Sequence, residues 1–158
     1  MNFYMKQRVF SWRDKFHICD EDGNEKYYVE GAMFSIGKRL TMFDAAGNEV
    51  AEIRQKVLTF LPKYHVQLAS GTTLEIKKCF TLFRPKYGVE PLGWTVQGDF
   101  WAHEYRILCG ETPVAAVNKE WFAFGDAYHI DIAEGSDEVL VLSVLLVVDA
   151  CIEMNENT

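Results

Sequence analysis

The chain has 158 residues and a formal net charge of −7. Its apolar fraction of 49% and aromatic fraction of 14% exclude a disordered chain, and its length suits one domain, residues 1–158, with a sizeable core. The acidic balance disfavours nucleic acid as a partner, and the scattered Cys19, Cys79, Cys109 and Cys151 form neither a disulfide framework nor a Cys-x-x-Cys zinc pattern.

Reduced thiols and an N-terminus without an apolar signal segment lead to the expectation of a cytoplasmic protein. The opening reads as strand in Phe3-Tyr4-Met5 and Val9-Phe10, rich in aromatics. Lys15–Asp20 alternates polar and apolar, the pattern of a half-buried strand. Asp22-Gly23-Asn24-Glu25 is a hairpin turn, and Lys26–Glu30 returns from it. Met33–Phe43 follows, with Gly37-Lys38-Arg39 as an interruption. Asp44–Glu49 turns again, and Val50–Lys56 alternates with Ile53 inward.

Leu58–Leu61 is a short apolar run ended by Pro62. Lys63–Leu68 and Thr72–Phe80 are strands about a Ser70-Gly71 turn, with Leu74 and Ile76 inward. Arg84–Leu92, holding Pro85, Gly88 and Pro91, reads as a loop. Trp94–Trp101 reads as strand and turn, and further strands are expected in His103–Leu108, Pro113–Trp121 and Ala127–Ile132. Phe122–Asp126 leads into the last of these.

The final run, Val139–Met154, is the most continuously apolar part of the chain. It is short for a membrane span, which needs about 20 apolar residues. It is long for a strand, which averages about 5 or 6. A helix over about residues 137–153 fits better, with Ser136 as N-cap and Asp137 and Glu138 in the first turn, where negative charge suits the dipole. Leu140, Val144, Val147 and Cys151 would share one side, and Val141, Leu145, Val148 and Ile152 another. A helix apolar all round must be surrounded. Asp149, the charge inside it, is expected near a barrel mouth beside a strand Arg or Lys, because a buried unpaired charge is costly.

Ten to twelve short strands with regular turns indicate an all-β barrel or sandwich. A closed antiparallel barrel around the helix buries the helix and removes sheet edges together. There is also an internal echo. Leu40–Phe43, a Gly47 turn and Val50–Lys56 match Tyr105–Leu108, a Gly110 turn and Val114–Lys119, which suggests two similar halves.

The phrases Tyr4-Met5-Lys6-Gln7, Phe16-His17-Ile18, Gly23-Asn24-Glu25 and Val50-Ala51-Glu52-Ile53-Arg54-Gln55-Lys56, followed by Tyr128-His129-Ile130-Asp131-Ile132 and a Val/Leu helix, resemble bacterial LURP-one-related proteins. The resemblance spans nearly the whole chain. It implies a fold similar to the Tubby C-terminal domain and the phospholipid scramblases: a mainly β, twelve-stranded barrel enclosing a hydrophobic C-terminal central helix. Tubby domains bind phosphoinositides and scramblases associate with membranes. No Tubby headgroup residue maps onto a specific position here, and no added membrane helix or palmitoylation-type cysteine cluster points to scrambling.

No Gly-rich phosphate loop, nucleophile elbow or paired-carboxylate motif is present, so neither an enzyme nor a cofactor is expected. His17, His65, His103 and His129 lack metal-ligand spacing. His103-Glu104 and Asp126 with His129 are acid–base pairs of the kind any chain this size offers. The charge distribution is more informative. Residues 38–86 hold nine bases and four acids, a local +5 that leaves −12 for the remainder.

Two functions follow. The first is a non-enzymatic binding module that meets an anionic lipid headgroup or an acidic protein through Lys38, Arg39, Arg54, Lys56, Lys77, Lys78, Arg84 and Lys86. The second is a protein-interaction scaffold that uses Trp94, Trp101 and Trp121 and takes no lipid or small molecule.

Overall fold

The computed structural model describes residues 1–7, 15–32, 35–122 and 125–156. Strands β1 (Asn2–Gln7), β2 (Lys15–Cys19), β3 (Glu25–Gly31), β4 (Arg39–Asp44), β5 (Glu49–Gln55) and β6 (Lys63–Leu68) make one half of a barrel. The other half is β7 (Thr73–Lys78), β8 (Lys86–Glu90), β9 (Trp94–Asp99), β10 (Glu104–Cys109), β11 (Thr112–Phe122) and β12 (Gly125–Ile132). Each strand pairs antiparallel with its neighbours in sequence, and β1 pairs with β12, so the barrel is closed. The strand expected at Val9-Phe10, together with Met33, Phe34 and the centre of the Phe122–Asp126 lead-in, lies outside the described residues.

Helix α1 (Glu138–Glu156) is threaded through the barrel. Residues Val141 to Val148 are all at most 1% exposed, so all faces of this stretch meet protein. Strand alternation supplies the matching surface: Ile18, Val29, Met42, Ile53, Val66, Ile76, Val89, Val96, Ile107 and Ile130 are buried while their strand neighbours face outward. This reconciles a β-rich wall with an apolar helix, each burying the other's hydrophobic surface. Ser143, the polar residue in the run, donates its hydroxyl to the Val139 carbonyl at 2.7 Å. The cap is Asp137 rather than Ser136. Asp137 Oδ1 accepts the Leu140 N–H at 3.1 Å, and its carbonyl accepts the Val141 N–H, which is the geometry of an N-cap.

Antiparallel order places the connections after even-numbered strands at one mouth, where α1 enters, and those after odd-numbered strands at the other, where it leaves. Tyr27 bonds Glu138 at the entry mouth, and Lys38 pairs with Glu153 at the exit mouth. At the entry mouth, Asp20 and Asp44 organise two equivalent turns. The Oδ1 atom of each accepts the N–H groups of the residues two and four positions on. Gly23 and Gly47 take φ of 81° and 86°, which L side chains rarely adopt. The Asp22-Gly23 pair thus marks a hairpin as expected, with a five-residue loop and only its glycine left-handed.

The segment Arg84–Leu92 is not a loop throughout, because Lys86–Glu90 is β8. Pro85 and Pro91 flank that strand and leave its N–H groups available. Tyr87 and Val89 point inward against α1, and this burial holds the strand despite Gly88. Conversely, His103 stands before β10 with φ 54°, and Phe80 lies beyond β7 on an exposed connection.

Candidate anion-binding mouth

The basic middle of the sequence becomes the consecutive wall β4–β8, and most of its cations sit toward the exit mouth. They divide into two groups. Arg39 and Arg54, partners across β4 and β5, both reach Glu52, at 2.7 and 2.5 Å. Hydrogen bonding from Arg54, with the charge of Arg39, holds the Glu52 carboxyl below its usual range. Lys56 and Lys63 share Glu75 at 2.6 and 3.5 Å and lower its pKa in the same way, Lys56 contributing most. Lys38 pairs with Glu153 in the last turn of α1, a turn with no base of its own. Lys38, Arg39, Arg54 and Lys56, although expected to bind anions, are therefore engaged by carboxylates of the same chain.

Lys77, Lys78, Arg84 and Lys86 are different. Among the described residues none of them has an ion-pair partner. They lie together on the end of β7, the start of β8 and the connection between them, where the Cys79 N–H donates to the Lys86 carbonyl at 2.7 Å. Lys77 is opposite Lys63 across β6 and β7. Lys78 is on the inward parity of β7, in phase with Leu74 and Ile76, and stands opposite Tyr87. That position places an ammonium group at the mouth beside the departing helix.

A pocket of about 340 Å³ opens there, lined by Lys78, Pro85, Tyr87, Phe100, Trp101 and Ile152. Phe100 meets Tyr87 edge-on at 5.1 Å and Tyr105 at 5.4 Å, forming an aromatic floor. Burial raises the Tyr87 phenol above its ordinary range, with Cys151 adding to the shift, and burial likewise pushes the Cys151 thiol up to about 12. Lys78 and Lys38 oppose the Cys151 shift, which places their charges near the end of α1. The C-terminal end of a helix carries partial negative charge, so cations gather there favourably. The result is an apolar-walled cup with the Lys78 ammonium in its lining, suited to an anion with an apolar body.

Trp94 and Trp101 do not share a surface. Trp94 packs half-buried at the entry-mouth end of β9, Trp101 is 73% exposed at the exit mouth, and the Trp121 side chain is outside the described ones. His17 contacts Glu25, and His129 bonds Asn2 at 2.9 Å, on separate strands from His65. Among the described residues no group of three His, Cys, Asp or Glu is placed to hold a metal ion. Asp149 is half-buried, and its charge helps raise the pKa of Tyr105, for which burial is the larger cause. No helix among the described residues is long and apolar enough to cross a membrane.

Sequence reasoning missed the exposed apolar side chains of the exit mouth, Leu58 and Phe83 among them. A signal was available: both fall within four residues of a proline, Pro62 and Pro85, and outside any alternating run.

The LURP-one-related family profile matches residues 1–149. The chain is 35% identical over 157 residues to the uncharacterized protein YxjI of Bacillus subtilis (strain 168), covering 99% of this chain and 97% of that protein. The fold is similar to an X-ray structure of a protein from Arabidopsis thaliana, with a TM-score of 0.67 at 15% identity, over 94% of this chain and 90% of that one. Profile and relative agree over nearly the full length, and the chain belongs to the LURP-one-related family.

Proposed function

We propose that this protein is a non-enzymatic binding module for an anionic phospholipid headgroup, phosphoinositides included, and that it meets this ligand at the exit mouth. The observation that carries the reading is the cluster of Lys77, Lys78, Arg84 and Lys86, four cations without carboxylate partners among the described residues, beside the aromatic pocket. Uncompensated cations retain their attraction for an external anion, whereas those already paired have largely spent it. The barrel interior is filled by α1, so a ligand is met at the mouth and not inside.

The test is flotation with vesicles of phosphatidylcholine alone, or mixed with phosphatidylserine or a phosphoinositide, across a salt series. Binding to the anionic vesicles alone, weakening as salt screens exposed charge, supports the reading. It should be lost when Lys77 and Lys78 are reversed to glutamate. Equal binding to neutral and anionic vesicles, or none to either, removes the headgroup and leaves a protein-interaction scaffold, whose exposed Trp101 predicts salt-tolerant association.

A further inference from the structure

The two mouths of the barrel differ in their apolar surface. At the exit mouth, consecutive connections present large hydrophobic side chains to solvent. The connection before β4 carries Ile36 at 90% exposure, and the one before β6 carries Leu58 at 103% and Phe60 at 95%. The connection before β8 carries Phe80, Leu82 and Phe83, the last at 94%, and the one before β10 carries Trp101. At the entry mouth the most exposed large hydrophobics are Met1 and Leu92, each at 37%, and the connections hold Asp20, Glu21, Asp22, Glu111 and Glu134.

Scattered exposed apolar residues are ordinary, but a set gathered at one end of a molecule marks an interaction surface. Leu58 is unfavourable in two respects: it is wholly exposed, and its φ of 61° is a conformation usually left to glycine or asparagine. Charge complementarity identifies the partner. The apolar tips surround the same mouth as Lys77, Lys78, Arg84 and Lys86, so the surface combines apolar points with cations that have no ion-pair partner among the described residues. An anionic bilayer offers the matching layers, phosphates outside and hydrocarbon beneath.

We infer that the protein docks end-on upon an anionic phospholipid bilayer, with the tips at Leu58–Phe60 and Phe80–Phe83 entering the interface, the unpaired cations at phosphate depth and the acidic entry mouth facing away. This rests on the headgroup reading above and adds an orientation and an apolar contribution to it.

The experiment compares the wild-type chain with Leu58→Asn/Phe60→Ser and Phe80→Ser/Phe83→Ser. These variants leave net charge unchanged, and Leu92→Ser at the entry mouth is the control. All the residues concerned are exposed, and each variant's melting temperature is measured to confirm folding. Vesicle affinity for phosphatidylcholine–phosphatidylserine is expected to fall by about tenfold or more in each tip variant and to stay unchanged in the control. Trp101 emission is expected to be quenched by lipids brominated in the acyl chain, with the quench reduced in Trp101→Phe. Wild-type binding that is salt-sensitive yet equal in both tip variants overturns the insertion and leaves the headgroup reading standing. Failure of the wild-type chain to prefer anionic vesicles overturns both. A concentration-dependent mass in sedimentation, abolished by the tip substitutions with no effect on vesicles, assigns the surface to a second copy instead.

Discussion

Lys78 on β7 and Tyr87 on β8 stand opposite each other on the inner side of the barrel wall, and both line the exit-mouth pocket. The phenol is buried and belongs to the core, whereas the ammonium has no carboxylate to answer it among the described residues. Arg39 presents the contrasting case, held at 2.7 Å by Glu52. Lys78→Met and Arg84→Met should each weaken binding to anionic vesicles by about 1 kcal/mol, roughly fivefold. Arg39→Met should weaken it less, because Arg39 is held by Glu52, a carboxylate it shares with Arg54. Equal losses from all three in a flotation assay would show that net charge alone governs binding and that the division into paired and unpaired cations has no functional meaning.

Leu145 is 1% exposed midway along α1, surrounded by barrel wall. Leu145→Ala should lower the unfolding free energy by about 2–5 kcal/mol, since the closed wall has little freedom to collapse into the cavity. Leu145→Asp should prevent folding, because it places a carboxylate where no water reaches. Urea denaturation followed by far-ultraviolet circular dichroism measures the first, and soluble yield reports the second. A cooperative Leu145→Asp transition at the wild-type midpoint would contradict the threaded helix.

The fold was legible because its two signals are independent. Period-two alternation in segments such as Lys15–Cys19 and Thr73–Lys78 gave one-sided strands, and the run after Glu138 gave a helix with no polar face. The two requirements are met together when one surrounds the other. The ladder shifts register after Met42 in β4 and after Ile107 in β10, the same position in the two matching phrases, but also after Ile18 in β2, which lies outside them, so the shift does not single out the echo. The loop reading of Arg84–Leu92 failed because proline and glycine are local signals, while β8 is held by the burial of Tyr87 and Val89 against distant residues. The site was only half legible. Composition located the basic wall, but which cations find a carboxylate depends on which acids stand beside them, as Glu52 does across the ladder for Arg39 and along β5 for Arg54.

Capping separates two adjacent residues. Asp137 accepts the Leu140 N–H through its side chain, whereas Ser136 takes part through its backbone N–H, donated to the Ala133 carbonyl, a bond that alanine would keep. Asp137→Ala should cost about 1 kcal/mol and Ser136→Ala only a few tenths. Thermal melts of the two single variants decide the point, and a larger loss at Ser136 would assign the cap to the wrong residue.

Acid stability should reflect Glu52. Its carboxyl is held below the ordinary value of 4.5 by the hydrogen bond from Arg54 and by Arg39. A folded-state pKa below the unfolded one means that the native chain holds fewer protons, so the contribution is fully present above the unfolded value. It declines as pH falls through 4.5 toward the folded value, and it is gone below both. Glu52→Gln should therefore melt at a lower temperature than wild type at neutral pH, and the two melting curves should converge as the solution is acidified. Glu75, with Lys56 and Lys63, acts in the same direction, so wild type keeps an acid limb after Glu52 is removed. Calorimetric melting temperatures across this range provide the check. Two parallel lines, separated by a constant amount at every pH, would mean that Glu52 contributes through packing and not through its charge.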